Sequence, residues 1–240
     1  MRLEVEGEEI AAYGDVGGRC LLLHGAGEDA SLFAAQLADV PGTWAIDLPG
    51  HGRSGGEARE RIEEYAELVL GVLRRSAKRS TLLGGHSMGG AIALTCALTG
   101  PQHLAGLVLV STGGRLRVHK DLLGALEESD EMPEAFRRLL VAPGADGALL
   151  GSMAPARPGA LRRDFLACDR FDVLSRLREI RLRTLVLVGS RDVFTPEKYA
   201  RSLADALGGE LVVVDGAGHT LPLEAPQAVS GALSRFLSEG

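Results

Sequence analysis

Residues 81–94 read Thr81-Leu82-Leu83-Gly84-Gly85-His86-Ser87-Met88-Gly89-Gly90-Ala91-Ile92-Ala93-Leu94, and they decide how the rest of the chain is parsed. Thr81-Leu82-Leu83 is too short for a helix and reads as a buried strand. Ala91-Ile92-Ala93-Leu94 leads out as a helix, and Gly85-His86-Ser87-Met88-Gly89 between them has the form G-x-S-x-G. A serine at a sharp strand-to-helix reversal sits on strained backbone. Glycines two residues to either side leave room for the turn, and the hydroxyl stands above the sheet. Alone the pattern is unspecific, since a structural turn with an idle serine satisfies it too. The strand before it and the helix after it point to Ser87 as a nucleophile.

A serine nucleophile needs a base. His219 lies in Gly216-Ala217-Gly218-His219-Thr220, just past the last apolar run, where a glycine-rich loop at a strand's carboxyl end can turn an imidazole into the crevice. A lone loop histidine is otherwise an ordinary surface residue. The base in turn needs an orienting acid. Asp192, in Gly189-Ser190-Arg191-Asp192, follows an apolar run and precedes a helix start with Thr195 expected as N-cap and Pro196 at the first helical position. Asp215 is the rival, but it ends the very strand that feeds the histidine loop, so its reach to the ring is poor. Asp192 is the better candidate.

Outward from this centre, short apolar runs at 20–23, 44–46, 81–83, 107–110, 185–188 and 211–214 alternate with amphipathic stretches at 31–38, 57–75, 88–98, 196–207 and 226–237. That alternation predicts an α/β fold with a mostly parallel, doubly wound sheet, each strand buried on both faces. The opening residues, 3–5 and 10–13 around Gly7, predict an antiparallel hairpin. Between residues 115 and 178 the strand pattern lapses and helical patterns recur around 121–128, 134–140 and 160–166. The expected organisation is therefore a core of residues 1–114 and 179–240 with a small helical cap, 115–178, inserted into it.

At 240 residues, with 45% hydrophobic and 24% charged residues, the chain has the composition of one globular domain. Its net charge of −6 argues against binding nucleic acid or anionic membranes. Cys20, Cys96 and Cys168 lack metal-type spacing and are expected as free thiols in a reducing compartment. The charged N-terminus lacks an apolar signal region, and no run approaches the length of a membrane span, so the expected location is cytoplasmic.

Taken together, the motifs resemble the α/β-hydrolase superfamily, in its serine-triad branch with a small helical cap. Leu23-His24-Gly25-Ala26-Gly27 is similar to that family's oxyanion loop. Asp47-Leu48-Pro49-Gly50-His51-Gly52-Arg53-Ser54 matches its D-x-P-G-x-G-x-S turn, and the order Ser87, Asp192, His219 is the family's order. The resemblance implies an oxyanion hole formed by the backbone N–H groups of Ala26 and Met88, and an acyl-enzyme mechanism that requires no metal or organic cofactor. It also implies structural roles for His24 and His51 and a turn fixed by Asp47 and Arg53. A serine at the elbow is unlike the dehalogenase and epoxide-hydrolase branches, which carry aspartate there.

The implied substrate is a small-molecule ester, and the short cap suggests a pocket for modest acyl groups. Gly25, His86, Leu122, Leu126, Phe136, Met153 and Phe165 are the candidate substrate contacts, with Leu140, Leu149 and Leu150 as further apolar candidates in the cap. The cap is rich in arginine, including Arg117, Arg137 and Arg163, which either faces solvent or binds a substrate carboxylate. Carboxylic-ester hydrolysis leads. Carbon–carbon bond hydrolysis, a menaquinone-pathway type of lyase reaction on the same triad, and non-catalytic small-molecule reception are the alternatives. The sequence is compatible with a monomer or a homodimer.

Overall fold

Eight strands lie side by side in the order β1-β2-β4-β3-β5-β6-β7-β8. They span Arg2–Val5 (β1), Glu8–Gly14 (β2), Cys20–Leu23 (β3), Thr43–Ile46 (β4), Thr81–His86 (β5), Leu104–Val110 (β6), Thr184–Gly189 (β7) and Glu210–Val214 (β8). The computed structural model describes residues 1–76, 80–145, 149 and 157–239. The β1–β2 hairpin and the β2–β4 pair are antiparallel; every later pair is parallel. β3, β4, β5 and β7 are buried along their whole length, as two-sided cover requires. This is the α/β fold with an N-terminal hairpin that the alternation of apolar runs predicts.

Helices cover both faces. On one, α2 (Ile62–Ser76), α3 (Met88–Thr99) and α7 (Glu197–Leu207) bury Tyr65, Val69, Ile92 and Leu203 against Leu21, Leu83 and Val186. On the other, α1 (Ala34–Asp39), the 3-10 turn Ala30–Phe33, α8 (Leu221–Glu224) and α9 (Pro226–Ser238) pack around Phe33, Leu233, Phe236 and Leu187. The chain runs from β3 outward to β4 and then returns to place β5 on β3's other side. The reversal opens a crevice at the carboxyl ends of β3 and β5, the place where such sheets hold ligands.

Between β6 and β7 the chain forms α4 (Lys120–Glu128), α5 (Glu134–Arg137) and α6 (Ala160–Arg170), and a bridge between Arg115 and Asp172 closes the neck of this interval. Leu122, Leu126, Leu161 and Phe165 form a small core of their own, while Ala167, Cys168, Phe171 and Leu177 join the main core. All three cysteines are free and buried. Among the described residues, no helix is long and apolar enough to cross a membrane.

Two local expectations fail for traceable reasons. The helix expected from residue 57 begins at Ile62. Residues 57–60 instead stay extended enough to serve other elements: the Ala58 and Glu60 carbonyls accept hydrogen bonds from Arg163 and Arg170 of α6, and the Arg59 N–H donates to the Tyr65 hydroxyl. Thr195 does not cap α7. Pro196 is the N-cap, and the Thr195 hydroxyl is drawn to Asp192 at 2.7 Å. A short hydroxyl beside a buried carboxylate gains more from the charge than from a helix end.

Candidate active site

β5 ends at His86, and Ser87 follows with φ 50° and ψ −112°, a positive φ rare outside glycine. Neighbours fix that conformation from several sides. The Ser87 N–H donates to the Val110 carbonyl at 2.9 Å, and the Ser87 carbonyl accepts from the Thr112 hydroxyl at 2.8 Å and the Gly90 N–H at 3.0 Å. The flanking glycines are sterically required: a Cβ on Gly85 would collide with the backbone of Gly89, and one on Gly89 with the carbonyl of Leu23. The elbow therefore packs directly on β3 and brings Ser87 beside the loop that follows β3. A Cβ added to Gly25 would lie 3.3 Å from that of Ser87.

His219 Nε2 stands 3.1 Å from Ser87 Oγ, and its Nδ1 stands 2.9 and 3.1 Å from the two oxygens of Asp192. Ser87 and His219, 132 residues apart in the chain, thus join with Asp192 in one hydrogen-bonded line. Asp192 also accepts from the N–H groups of Phe194 (2.9 Å) and Thr195 (2.8 Å) and from the Thr195 hydroxyl. Burial pushes the Asp192 carboxyl up, but His219 and the Thr195 donors outweigh burial and hold it below the ordinary carboxylate range. The rival acid is elsewhere: Asp215 is exposed and accepts from the Ser190 hydroxyl. The backbone N–H groups of Ala26 and Met88 have no hydrogen-bond partner among the described residues.

Two residues that sequence reasoning passed over complete the surroundings. Glu28 is buried in the loop after β3, where it accepts from the Gly25 N–H at 2.7 Å and lies 2.9 Å from His86 Nδ1. Asp164 of α6, wholly buried, accepts from the Gly27 N–H (2.8 Å), the Tyr65 hydroxyl (2.6 Å) and His51 Nε2 (2.8 Å). It ties α6 to the loop after β3, to α2 and to the turn after β4. Asp47, expected from the sequence to fix that turn, does so through the N–H groups of Ala30 and Arg53 and the Tyr13 hydroxyl. Asp164 left a trace in the sequence: it shares a helical face with Leu161, Phe165 and Cys168, an acid set in an apolar stripe.

A cavity of about 930 Å³ opens over Ser87 and His219. This is the upper end of the usual range for small-molecule sites and more than a short acyl group needs. Leu122, Phe136 and Phe165 line it, as does Leu140. Leu126 does not, and packs inside the small core between α4 and α6; Gly25 lies beneath the wall. His86 touches the cavity, but both its ring nitrogens are engaged by Glu28 and the His219 carbonyl, leaving no polar atom for a substrate. The Met88 side chain is buried in the main core. Met153 and Leu150 lie outside the described residues. Sequence spacing missed Leu116, Val118, Leu161 and Phe194, which also line the cavity.

A strained elbow serine just after β5, a loop histidine after β8 and a sheet of this order define an α/β hydrolase. The chain belongs to the alpha/beta hydrolase family, whose model matches residues 20–232. It is 30% identical to the pimeloyl-(acyl-carrier protein) methyl ester esterase of Neisseria meningitidis serogroup A, over 97% of this chain and 80% of that protein. A solved thermophilic esterase superposes with a TM-score of 0.88 at 30% identity, covering 100% of this chain and 97% of the other. An N-acyl homoserine lactone degrading enzyme superposes at 0.82 with 27% identity, over 98% and 100% of the two chains.

Proposed function

We infer that this protein is a serine hydrolase that cleaves carboxylic esters of small molecules through an acyl-enzyme intermediate. The observation that carries the reading is the unbroken line from Ser87 Oγ through the His219 ring to the Asp192 carboxylate, at 3.1 and 2.9 Å. His219 Nε2 takes the Ser87 proton as Oγ attacks the acyl carbon. Asp192 holds the Nδ1–H tautomer and stabilises the imidazolium that forms. The Ala26 and Met88 N–H groups, without a partner among the described residues, receive the developing oxyanion, each worth about 3 kcal/mol in comparable sites. The proton on His219 passes to the leaving alcohol. His219 then activates a water that attacks the acyl-Ser87 carbonyl, releasing the acid and restoring the serine.

Residues 115–178 act as the cap, with Leu122, Phe136 and Phe165 in contact with the acyl chain. The esterase relatives support an ester substrate over the carbon–carbon and receptor alternatives. Steady-state hydrolysis of p-nitrophenyl esters from acetate to dodecanoate tests this. The wild type is expected to turn them over, with Ser87→Ala lowering kcat by about 10⁴-fold or more. Turnover that survives in Ser87→Ala overturns the assignment, as does a purified, folded protein that cleaves none of the series.

A further inference from the structure

Beneath the site lies a second buried acid–histidine pair that the acyl-transfer chemistry does not itself use. His86 Nδ1 is 2.9 Å from Glu28 Oε2 and His86 Nε2 is 2.9 Å from the His219 backbone carbonyl. A carbonyl can only accept, so Nε2 carries a proton. Glu28 Oε2 already accepts the Gly25 N–H at 2.7 Å, which favours its anionic form and a second proton on Nδ1. The ring is fully enclosed, at 1% exposure, and its centroid is 4.9 Å from that of His219.

We propose that His86 is a fixed imidazolium, held by Glu28, that positions the loop carrying His219. The inference rests on the reading of His219 as general base. Gly25 N–H, Glu28, His86 and the His219 carbonyl make a continuous hydrogen-bonded strut from the loop after β3 to the histidine loop.

The charged and titratable groups involved come from each loop packed here. Glu28 and His24 belong to the loop after β3, Asp192 to the loop after β7, and His219 to the loop after β8. Burial favours a neutral His86, but Glu28, with the His219 carbonyl and Asp192, outweighs burial and raises its pKa. Glu28 is correspondingly lowered: burial opposes ionisation, and His86 with the Gly25 N–H overcomes it.

NMR titration of ¹⁵N-histidine-labelled protein tests this without relying on turnover. In the wild type, His86, assigned through His86→Gln, is expected to hold both ring protons at pH 8. A singly protonated His86 there overturns the proposal, even if no variant folds. In Glu28→Gln the buried His86 loses its counter-charge and is expected to hold a single ring proton at the same pH. A doubly protonated His86 in the folded variant also overturns it. With the strut weakened, kcat for p-nitrophenyl butyrate should fall by about tenfold with KM within about twofold. An undiminished kcat overturns the positioning role. If His86 changes its protonation as expected and the wild type shows no Ser87-dependent turnover, the assignment of His219 as general base fails instead.

Discussion

His24 and His51 face each other with ring centroids 4.9 Å apart, yet their hydrogen-bond partners require opposite protonation states. His24 Nε2 accepts the Leu48 N–H and its Nδ1 donates to the Gly25 carbonyl, so that ring is neutral. His51 presents its two nitrogens to the Pro49 carbonyl and to Asp164, and Asp164 already accepts from Tyr65 and Gly27, so the His51 ring is an imidazolium. Burial, reinforced by the charge on His51, lowers the His24 pKa to about 4. Burial also favours a neutral His51, but Asp164 outweighs it and raises the pKa.

Acid sensitivity follows from His24. An unfolded histidine protonates near pH 6.5, whereas folded His24 does so only near 4, so across that window the unfolded chain binds more protons and stability falls with pH. The loss is as much as about 3 kcal/mol. His51, raised instead, contributes stability that is complete below its unfolded value and fades as pH rises through its folded one. Urea denaturation of wild type and His24→Gln between pH 6.5 and 4 should show a shallower acid-side decline in the variant. Parallel declines would show that His24 is not the group being titrated.

Removing the acid that serves three elements should be costly. Asp164→Ala leaves His51, Tyr65 and the Gly27 N–H without their partner in a dry environment, and stability is expected to fall by about 3–5 kcal/mol. Because Gly27 belongs to the loop proposed to supply the oxyanion N–H, kcat should fall as well, even at temperatures where the variant is fully folded. Denaturation midpoints paired with ester turnover check both, and a change under about 1 kcal/mol would contradict the account.

Thr195 has an effect on the acid rather than on the helix that follows it. Thr195→Val removes the 2.7 Å hydrogen bond to Asp192 while keeping the side chain's shape. A hydrogen bond to a charged group is worth about 1.5–3 kcal/mol, so kcat should drop by about tenfold or more with KM little changed. A drop in melting temperature with undiminished kcat would instead mark Thr195 as a helix cap.

Much of this site was legible in the residues because it rests on local rules. Apolar runs four to seven residues long mark buried strands, and glycines beside Ser87 and before His219 mark the loops at their carboxyl ends. Asp215 ends the strand that feeds the histidine loop, and that placement distinguishes it from Asp192, which stands just past the end of the neighbouring strand. The buried carboxylates were not legible in the same way. Glu28 lies 58 residues from His86, and Asp164 lies 137 residues from Gly27, so nothing in their own neighbourhoods announces a partner. Competing side-chain partners also explain the misread helix starts: residues 57–60 answer to the distant α6 and Thr195 answers to nearby Asp192, and propensity yields to both.

We propose Ser87 as the nucleophile that accepts the acyl group and His219 as the base that activates it. Incubation with a fluorophosphonate followed by peptide mass spectrometry tests this at the level of a single residue. A stoichiometric adduct on the peptide containing Ser87 is predicted, with the rate of labelling falling by at least about 10²-fold in His219→Ala. An adduct on any other residue, or labelling of Ser87 that is as fast without His219, would contradict it.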